Sequence, residues 1–356
     1  MKILTVNSSP RTGAGSISEL LLHHLVRGMQ EAGAAVCTVN LREKTIGPCQ
    51  GCFTCWTKTP GRCILMDDMT RELLPKLPAS DLVVYATPLY FSTMNAAMSI
   101  FRERMLPLFN PFIEKRGGRR VFSKRYKLPP AVWLSACAVA EKSEFDALSN
   151  FLQSTHHPDT PIIAEIYRNS SEALRHPVFK QTRSDILAAT IQAGGELVRS
   201  MNISPDTMAR IRQPLADPAI LTILGNLTFK TCIAENMMLK EFFEKGQTPR
   251  PDSLEAFMAY AVLPFNGDLA DGKKVILQFK FSGEVEDSCY FTFERGRIKA
   301  TAGTSPTYDI AIETPFELWM DIITGKADGR EMFMQHRYQV EGDLSLMLEI
   351  FKKKEN

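Results

Sequence analysis

Four short, almost continuous apolar runs, at 3–6, 35–39, 82–86 and 131–134, alternate with stretches of helical periodicity around 17–32, 68–76 and 93–106. A strand that is apolar on both faces must be covered on both faces, and strands separated by helices are joined by crossovers. The pattern restricts this part of the chain to an α/β class: a doubly wound, parallel five-stranded sheet. The fifth strand is expected at 162–167 and a closing helix at 182–201. Ligands of such sheets sit beyond the carboxyl ends of the strands. Two segments lie there, 8–16 after the first strand and 87–92 after the third.

The first of these reads Ser8-Ser9-Pro10-Arg11-Thr12-Gly13-Ala14-Gly15-Ser16 and leads into a helix. A turn rich in hydroxyls and glycine before a helix N-terminus offers free backbone N–H groups and the positive end of the helix dipole, which together make an anion site. Ser16 reads as the N-cap with Glu19 as its capping-box partner, and Gly33 as the residue that ends the helix. The loop is not a Walker A, because no Gly-Lys-Ser/Thr follows, and Gly13-Ala14-Gly15-Ser16-Ile17-Ser18 lacks the third glycine of a dinucleotide fingerprint. Hydroxyls from Ser8, Ser9 and Ser16 with the Arg11 charge suit a single terminal phosphomonoester. The plainer alternative is a βα turn with solvated serines.

The chain has 356 residues, enough for two domains, with 23% charged residues and a formal net charge of +2. That balance carries no signal for a nucleic acid partner. No uncharged apolar run is long enough for a membrane span, and the first residues lack a signal-peptide pattern, so a cytoplasmic location is expected. Near 205 the pattern changes, and 206–250 is helical and apolar in places. Alternating runs at 275–281, 288–293 and 297–301 predict an antiparallel meander, followed by helices at 315–324, 328–336 and 344–352. The expected organisation is a domain over 1–205, a helical linker over 206–255 and a smaller α+β domain over 256–356. Apolar faces at 218–245 suggest either a homodimer contact or an inter-domain brace.

Four of the eight cysteines, Cys49, Cys52, Cys55 and Cys63, form C-x2-C-x2-C-x7-C. Three thiolates at two-residue spacing with a fourth nearby are a common mode of Fe–S ligation, zinc also accepts four thiolates, and reduced thiols without metal form a third alternative. No histidine has metal-like spacing: His23 and His24 sit in the first helix, and His156-His157 are expected to be solvated or capping. Adjacent Asp67 and Asp68 read as helix-start carboxylates.

Three motifs carry a family resemblance: Ser8-Ser9-Pro10-Arg11 with Gly15-Ser16, the stretch 48–63 leading into Met66-Asp67-Asp68-Met69, and Thr87-Pro88-Leu89-Tyr90 through Phe101-Arg102-Glu103-Arg104. Over about residues 1–200 the chain resembles the flavodoxin-like NADPH-dependent FMN reductases, and among them the iron–sulfur flavoproteins. The resemblance implies an FMN cofactor, its phosphate held by Ser9, Arg11, Gly15, Ser16 and Ile17 and its ring lined by Pro88, Leu89, Tyr90, Phe91 and Ser92. It further implies NAD(P)H as co-substrate and a [4Fe-4S] cluster as a candidate for the four cysteines. A lysine and an aspartate common after the second loop are replaced here by Ser99 and Glu103, while Arg104 is retained. No catalytic acid–base pair is expected, since hydride transfer to a flavin requires none. Tyr90, Phe91 and Trp56 could stack on the ring or fill the core.

Residues 272–351 resemble the sterol-carrier-protein type of lipid-binding domain, through Val275-Ile276-Leu277-Gln278-Phe279, Asp309-Ile310-Ala311-Ile312, Phe316-Glu317-Leu318-Trp319 and Val340-Glu341-Gly342-Asp343. The resemblance implies a five-stranded sheet around an apolar tunnel, with Phe279, Phe281, Trp319, Ile323, Met332, Phe333 and Met347 as lining candidates. The expected function is an FMN-dependent NAD(P)H oxidoreductase that delivers electrons to a small molecule or redox protein, with a lipid-like ligand for the second domain. The alternatives are a non-catalytic lipid or small-molecule carrier and a thiol or zinc redox sensor.

Overall fold

A computed structural model describes residues 1–266, 269 and 274–352. Two compact units emerge, one of 1–172 with 182–214, the other of 173–181 with 215–356.

In the first unit the chain runs β1 (Lys2–Asn7), α1 (Ile17–Glu31), β2 (Ala35–Asn40), a π-helical turn Met69–Leu73 leading into α2 (Leu74–Lys76), β3 (Leu82–Tyr90), β4 (Thr93–Met94) and α3 (Ala96–Glu103). It continues through β5 (Phe109–Arg116), β6 (Arg119–Lys124), β7 (Ala131–Ala136), α4 (Asp146–Thr155), β8 (Ile162–Arg168), α5 (Lys180–Ser200) and α6 (Pro205–Ile211). The main sheet has the order β2-β1-β3-β7-β8 and every pair in it is parallel. That order reverses direction between β1 and β3, which makes it flavodoxin-like and sets the ligand crevice at the ends of those two strands. β3 shows why its run is apolar throughout: residues 82–87 are all buried, so both faces are covered.

The first helix starts as its sequence requires, with Ser16 Oγ accepting from Glu19 N at 3.2 Å. Only half of the expected capping box forms. Glu19 pairs instead with Arg42 at 3.0 Å, and Ser16 N donates to Gly13 O. Gly33 ends the helix with φ +89°. Against α1 lies α5, at a contact that tolerates no side chain: a Cβ on Gly28 would stand 1.8 Å from Ile191 O, and one on Gly194 would stand 2.1 Å from Leu25 O.

The helix expected at 93–106 begins later, at Ala96, because Leu89 and Tyr90 pair antiparallel with Met94 and Thr93. The β5–β6 hairpin was not anticipated, although Gly117 and Gly118, with φ of +53° and +79°, provide the Gly-Gly turn that marks one. Helix α4, beyond β7, is a further element outside the expected pattern.

The second unit contains α7 (Pro218–Ala234), α8 (Leu239–Glu244), α9 (Leu254–Ala261), β9 (Val275–Ser282), β10 (Ser288–Glu294), β11 (Arg297–Ala302), β12 (Ile310–Pro315), α10 (Phe316–Thr324), α11 (Gly329–Met334), β13 (Gln339–Gly342) and α12 (Leu344–Phe351). Its five-stranded sheet has the order β11-β10-β9-β12-β13. The meander holds for β9, β10 and β11, whereas β12 joins β9 in parallel, so the sheet is mixed. Phe279, Phe291, Phe293 and Phe316 fill its core. Positions 272 and 273, at the start of the second resemblance, lie outside the described residues. No helix among the described residues is long and apolar enough to cross a membrane.

Candidate functional site

Three loops, all in the first unit, hold the residues singled out by the sequence. The loop after β1 is tied to the end of β3 by Ser8, whose N–H donates to Ala86 O at 2.9 Å. Asn7 shapes it from below, accepting from Ser9 N at 3.0 Å while its amide donates to Asn40 at 3.1 Å. Within the loop the Ser9 and Ser16 hydroxyls meet at 2.7 Å, although seven residues separate them. Both serines are buried, as are Ile17 and Ser18, which open the helix. The amides of these two first-turn residues have no acceptor within the helix. Nothing lies within 4 Å of where a Cβ on Gly15 would stand, so the space in front of the loop is open. Arg11 stands at the rim, half exposed, its guanidinium on Glu172 at 2.8 Å. Arg42, which sequence reasoning passed over, reaches the Ser9 and Arg11 carbonyls at 3.4 Å while paired to Glu19.

The loop after β3 is a two-residue hairpin. Phe91 and Ser92, with φ of +48° and +58°, occupy the left-handed positions of a turn that normally carries Asn-Gly. Neither residue has glycine's freedom, so the turn stores about 1–2 kcal/mol per residue. Pro88, Leu89 and Ser92 are half-buried, Tyr90 is exposed, and Phe91 is fully exposed at 104%. Asn95 fastens this hairpin to the first loop. Its carboxamide donates to Ser8 O at 2.7 Å and accepts from Met98 N, capping α3, while its own N–H donates to Thr87 Oγ1. An Asn directly before a helical Ala-Ala-Met was the available signal.

The third loop carries the cysteines. Cys49, Cys52, Cys55 and Cys63 line one recess together with Arg104. Burial, then the neighbouring Cys63, Cys49 and Cys52, push the Cys55 thiol up, whereas a hydrogen bond from the Thr54 side chain lowers Cys52. The base of the loop is held by Arg104, only 1% exposed, in a bidentate pair with Asp67 at 2.6 and 2.9 Å. Arg104 also donates to Gly47 O at 2.6 Å and Leu65 O at 3.5 Å, and Asp67 accepts from Gly47 N, so entry and exit of the cysteine segment are fixed together. Asp67 does more than the helix-start role expected of it. Burial raises its pKa, but the Arg104 and Gly47 hydrogen bonds outweigh burial and hold it below the ordinary carboxylate range. The four thiols suit a cluster in kind and share one recess, but among the described residues no three His, Cys, Asp or Glu groups already converge as a ligand set. Trp56 is half-buried, stacked on the exposed Phe53 at 5.3 Å and donating to Leu106 O.

In the second unit a cavity of about 910 Å³ is lined by Phe257, Tyr260, Trp319, Ile323, Phe333 and Met347, among others. Four of the seven expected lining residues are there. Phe279 and Phe281 are buried in the sheet core instead, and Met332 packs against that core. Phe257 and Tyr260 come from α9, which the sequence had placed astride the linker boundary at 255.

A switch-point crevice between a hydroxyl-lined loop and an aromatic hairpin defines the class as a flavodoxin-like α/β domain. Residues 1–165 match the NADPH-dependent FMN reductase family, and residues 266–352 match the SCP-2 sterol transfer family. The chain thus joins a region similar to the NADPH-dependent FMN reductases to a region similar to the SCP-2 sterol transfer family. Over 108 residues it is 30% identical to an iron–sulfur flavoprotein of Methanocaldococcus jannaschii, covering 30% of this chain and 53% of that one. It is 36% identical over 107 residues to an iron–sulfur flavoprotein of Archaeoglobus fulgidus, covering 30% of this chain and 46% of that one. The chain therefore spans about half the length of these relatives. A solved NAD(P)H:quinone oxidoreductase from Methanothermobacter marburgensis is similar over 55% of this chain and 96% of its own, at 17% identity and a TM-score of 0.43.

Proposed function

We propose that the protein is an FMN-dependent NAD(P)H oxidoreductase passing electrons to a small-molecule acceptor or redox protein. The carrying observation is the buried Ser9–Ser16 hydroxyl pair at the head of α1, opening onto free space at Gly15. An FMN held there would supply the two-electron redox chemistry that links NAD(P)H to an acceptor, and the chain's own residues would bind and orient it. Ser9, Arg11, Gly15, Ser16 and Ile17 would hold the phosphate, with the Ser18 amide as a further donor. Pro88, Leu89, Tyr90, Phe91 and Ser92 would wall the ring. Asn95 keeps phosphate loop and ring loop in register. Cys49, Cys52, Cys55 and Cys63 would hold a [4Fe-4S] cluster, a one-electron relay, while Arg104 and Asp67 anchor their loop.

The test is FMN titration by fluorescence quenching, together with the spectrum of anaerobically purified protein. Yellow protein absorbing near 450 nm is expected, with a broad shoulder near 400 nm when the cluster is present. Changing Arg11 and Ser16 together to Ala is expected to weaken FMN by about 2–4 kcal/mol, roughly 30- to 1000-fold in Kd. Unchanged affinity refutes the phosphate assignment. For the second unit, the 910 Å³ cavity supports a lipid-like ligand, and colourless protein that copurifies with lipid would favour the carrier reading.

A further inference from the structure

His156 and His157, expected to be solvated or capping, are half-buried and line a cavity of about 220 Å³ in the first unit. It lies at the opposite end of the sheet from the crevice: Val83 and Tyr85 come from the first half of β3, Ala131 and Trp133 from that of β7. Four buried nitrogens of its lining residues have no hydrogen-bond partner: Arg102 Nη1, Trp133 Nε1, His156 Nε2 and His157 Nε2. A native interior leaves few such atoms, and each calls for an explanation.

Arg102 is the most telling. Its guanidinium lies over the rings of Trp133 and Phe151, at 5.5 and 5.1 Å, and donates to Thr155 Oγ1 at 3.0 Å. Among the described residues it has no ion-pair partner. Arg102 is half-buried with its Nη1 enclosed, and a guanidinium so placed without a counter-anion is costly. The neighbouring charges do not supply one: Glu114 and Asp159 are engaged with Arg116, at 3.2 and 3.9 Å, and Lys124 adds a further cation, bonded to Thr160 Oγ1 at 3.1 Å. Both imidazoles are held neutral. Burial, then Arg102, His157 and Lys124, bring His156 down to about 4, and burial followed by Lys124 lowers His157. His157 Nδ1 accepts from Asp159 N at 3.2 Å, so the proton of the neutral ring sits on Nε2 and makes it a free donor.

Tyr85, Phe109, Leu128 and Trp133 supply aromatic and aliphatic lining. An apolar cavity of about 150 Å³ accepts benzene, so about 220 Å³ admits a ring with one small substituent. We propose that this cavity is a second ligand site, selective for a small aromatic monocarboxylate, with the carboxylate on Arg102, Trp133 Nε1 and His157 Nε2 and the ring against Tyr85 and Trp133. The reading is independent of the flavin assignment, because none of these residues belongs to the crevice.

The test is calorimetric titration of the full chain with sodium benzoate, with benzamide as the neutral isostere. Saturable one-to-one binding of benzoate is expected, with benzamide weaker by about tenfold or more, as loss of a charge-assisted contact predicts. Arg102→Met should abolish binding and leave thermal stability about equal, since it removes a half-buried charge that has no counter-anion while keeping an apolar side chain of similar length. Should that variant not fold, His157→Phe carries the test and is expected to weaken benzoate several-fold. No heat of binding up to about 10 mM benzoate, equal affinity for benzamide, or binding that survives the substitution would overturn the proposal.

Discussion

Replacing Asp67 by Asn isolates the clamp beneath the cysteine loop. The substitution keeps the size of the side chain but removes the charge facing Arg104, a guanidinium 1% exposed against a carboxylate 14% exposed. Breaking a buried pair by removing one partner typically costs 3–5 kcal/mol, because the other charge stays buried. Here Arg104 retains Gly47 O, Leu65 O and Thr70 Oγ1, and Asn still offers one acceptor, so the lower end, about 3 kcal/mol, is expected. With a urea dependence of about 2–3 kcal/mol per molar, the midpoint of the first unit should fall by about 1 M. Because both ends of the cysteine segment are attached to this pair, labelling of Cys55 by a thiol reagent should accelerate in parallel. The effect has a pH signature. Asp67 titrates lower folded than unfolded, so its contribution is complete above the unfolded value of about 3.9 and is lost as pH falls through the folded one. Wild type and variant should therefore converge in acid. A midpoint shift under about 0.2 M with unchanged labelling at neutral pH would refute the clamp.

Two further substitutions test how the crevice is built. Gly194→Ala should destabilise by about 2–3 kcal/mol despite alanine's better helix propensity, since its Cβ would meet Leu25 O at 2.1 Å; a stabilised variant in urea denaturation would show that α1 and α5 do not cross there. Asn95→Ala removes a helix cap and the tie to Ser8 O and should cost about 2 kcal/mol, with a parallel loss of FMN affinity by fluorescence titration; normal affinity in a destabilised protein would confine Asn95 to capping.

Much of the fold is legible because its causes are local. Apolar runs of strand length, Ser16 ahead of a leucine-rich helix and Gly33 behind it fix element type and boundary within a few residues of chain. The same holds for the alternation at 275–301, which marks three antiparallel strands. Where structure and sequence pattern differ, the cause is local too. The charged hairpin at 109–124 hides a Gly-Gly turn behind lysines and arginines, and residues 93–94 were drawn into a helix because nothing in Phe91-Ser92 advertises left-handed backbone.

What the sequence alone determined, then, is the sheet-and-helix class, the hydroxyl loop at the head of α1 and the crowding of four cysteines, each a property of neighbours along the chain. Only tertiary structure decided that Asn95 joins Ser8, that Arg104 spans Gly47 to Leu65 through Asp67, that Phe279 and Phe281 fill a core while Phe257 lines a cavity, and that Arg102, Trp133, His156 and His157 share one chamber. Those meetings depend on strand order and helix crossing, which bring together residues tens of positions apart, and no periodicity or capping signal encodes where a side chain's distant partner will be.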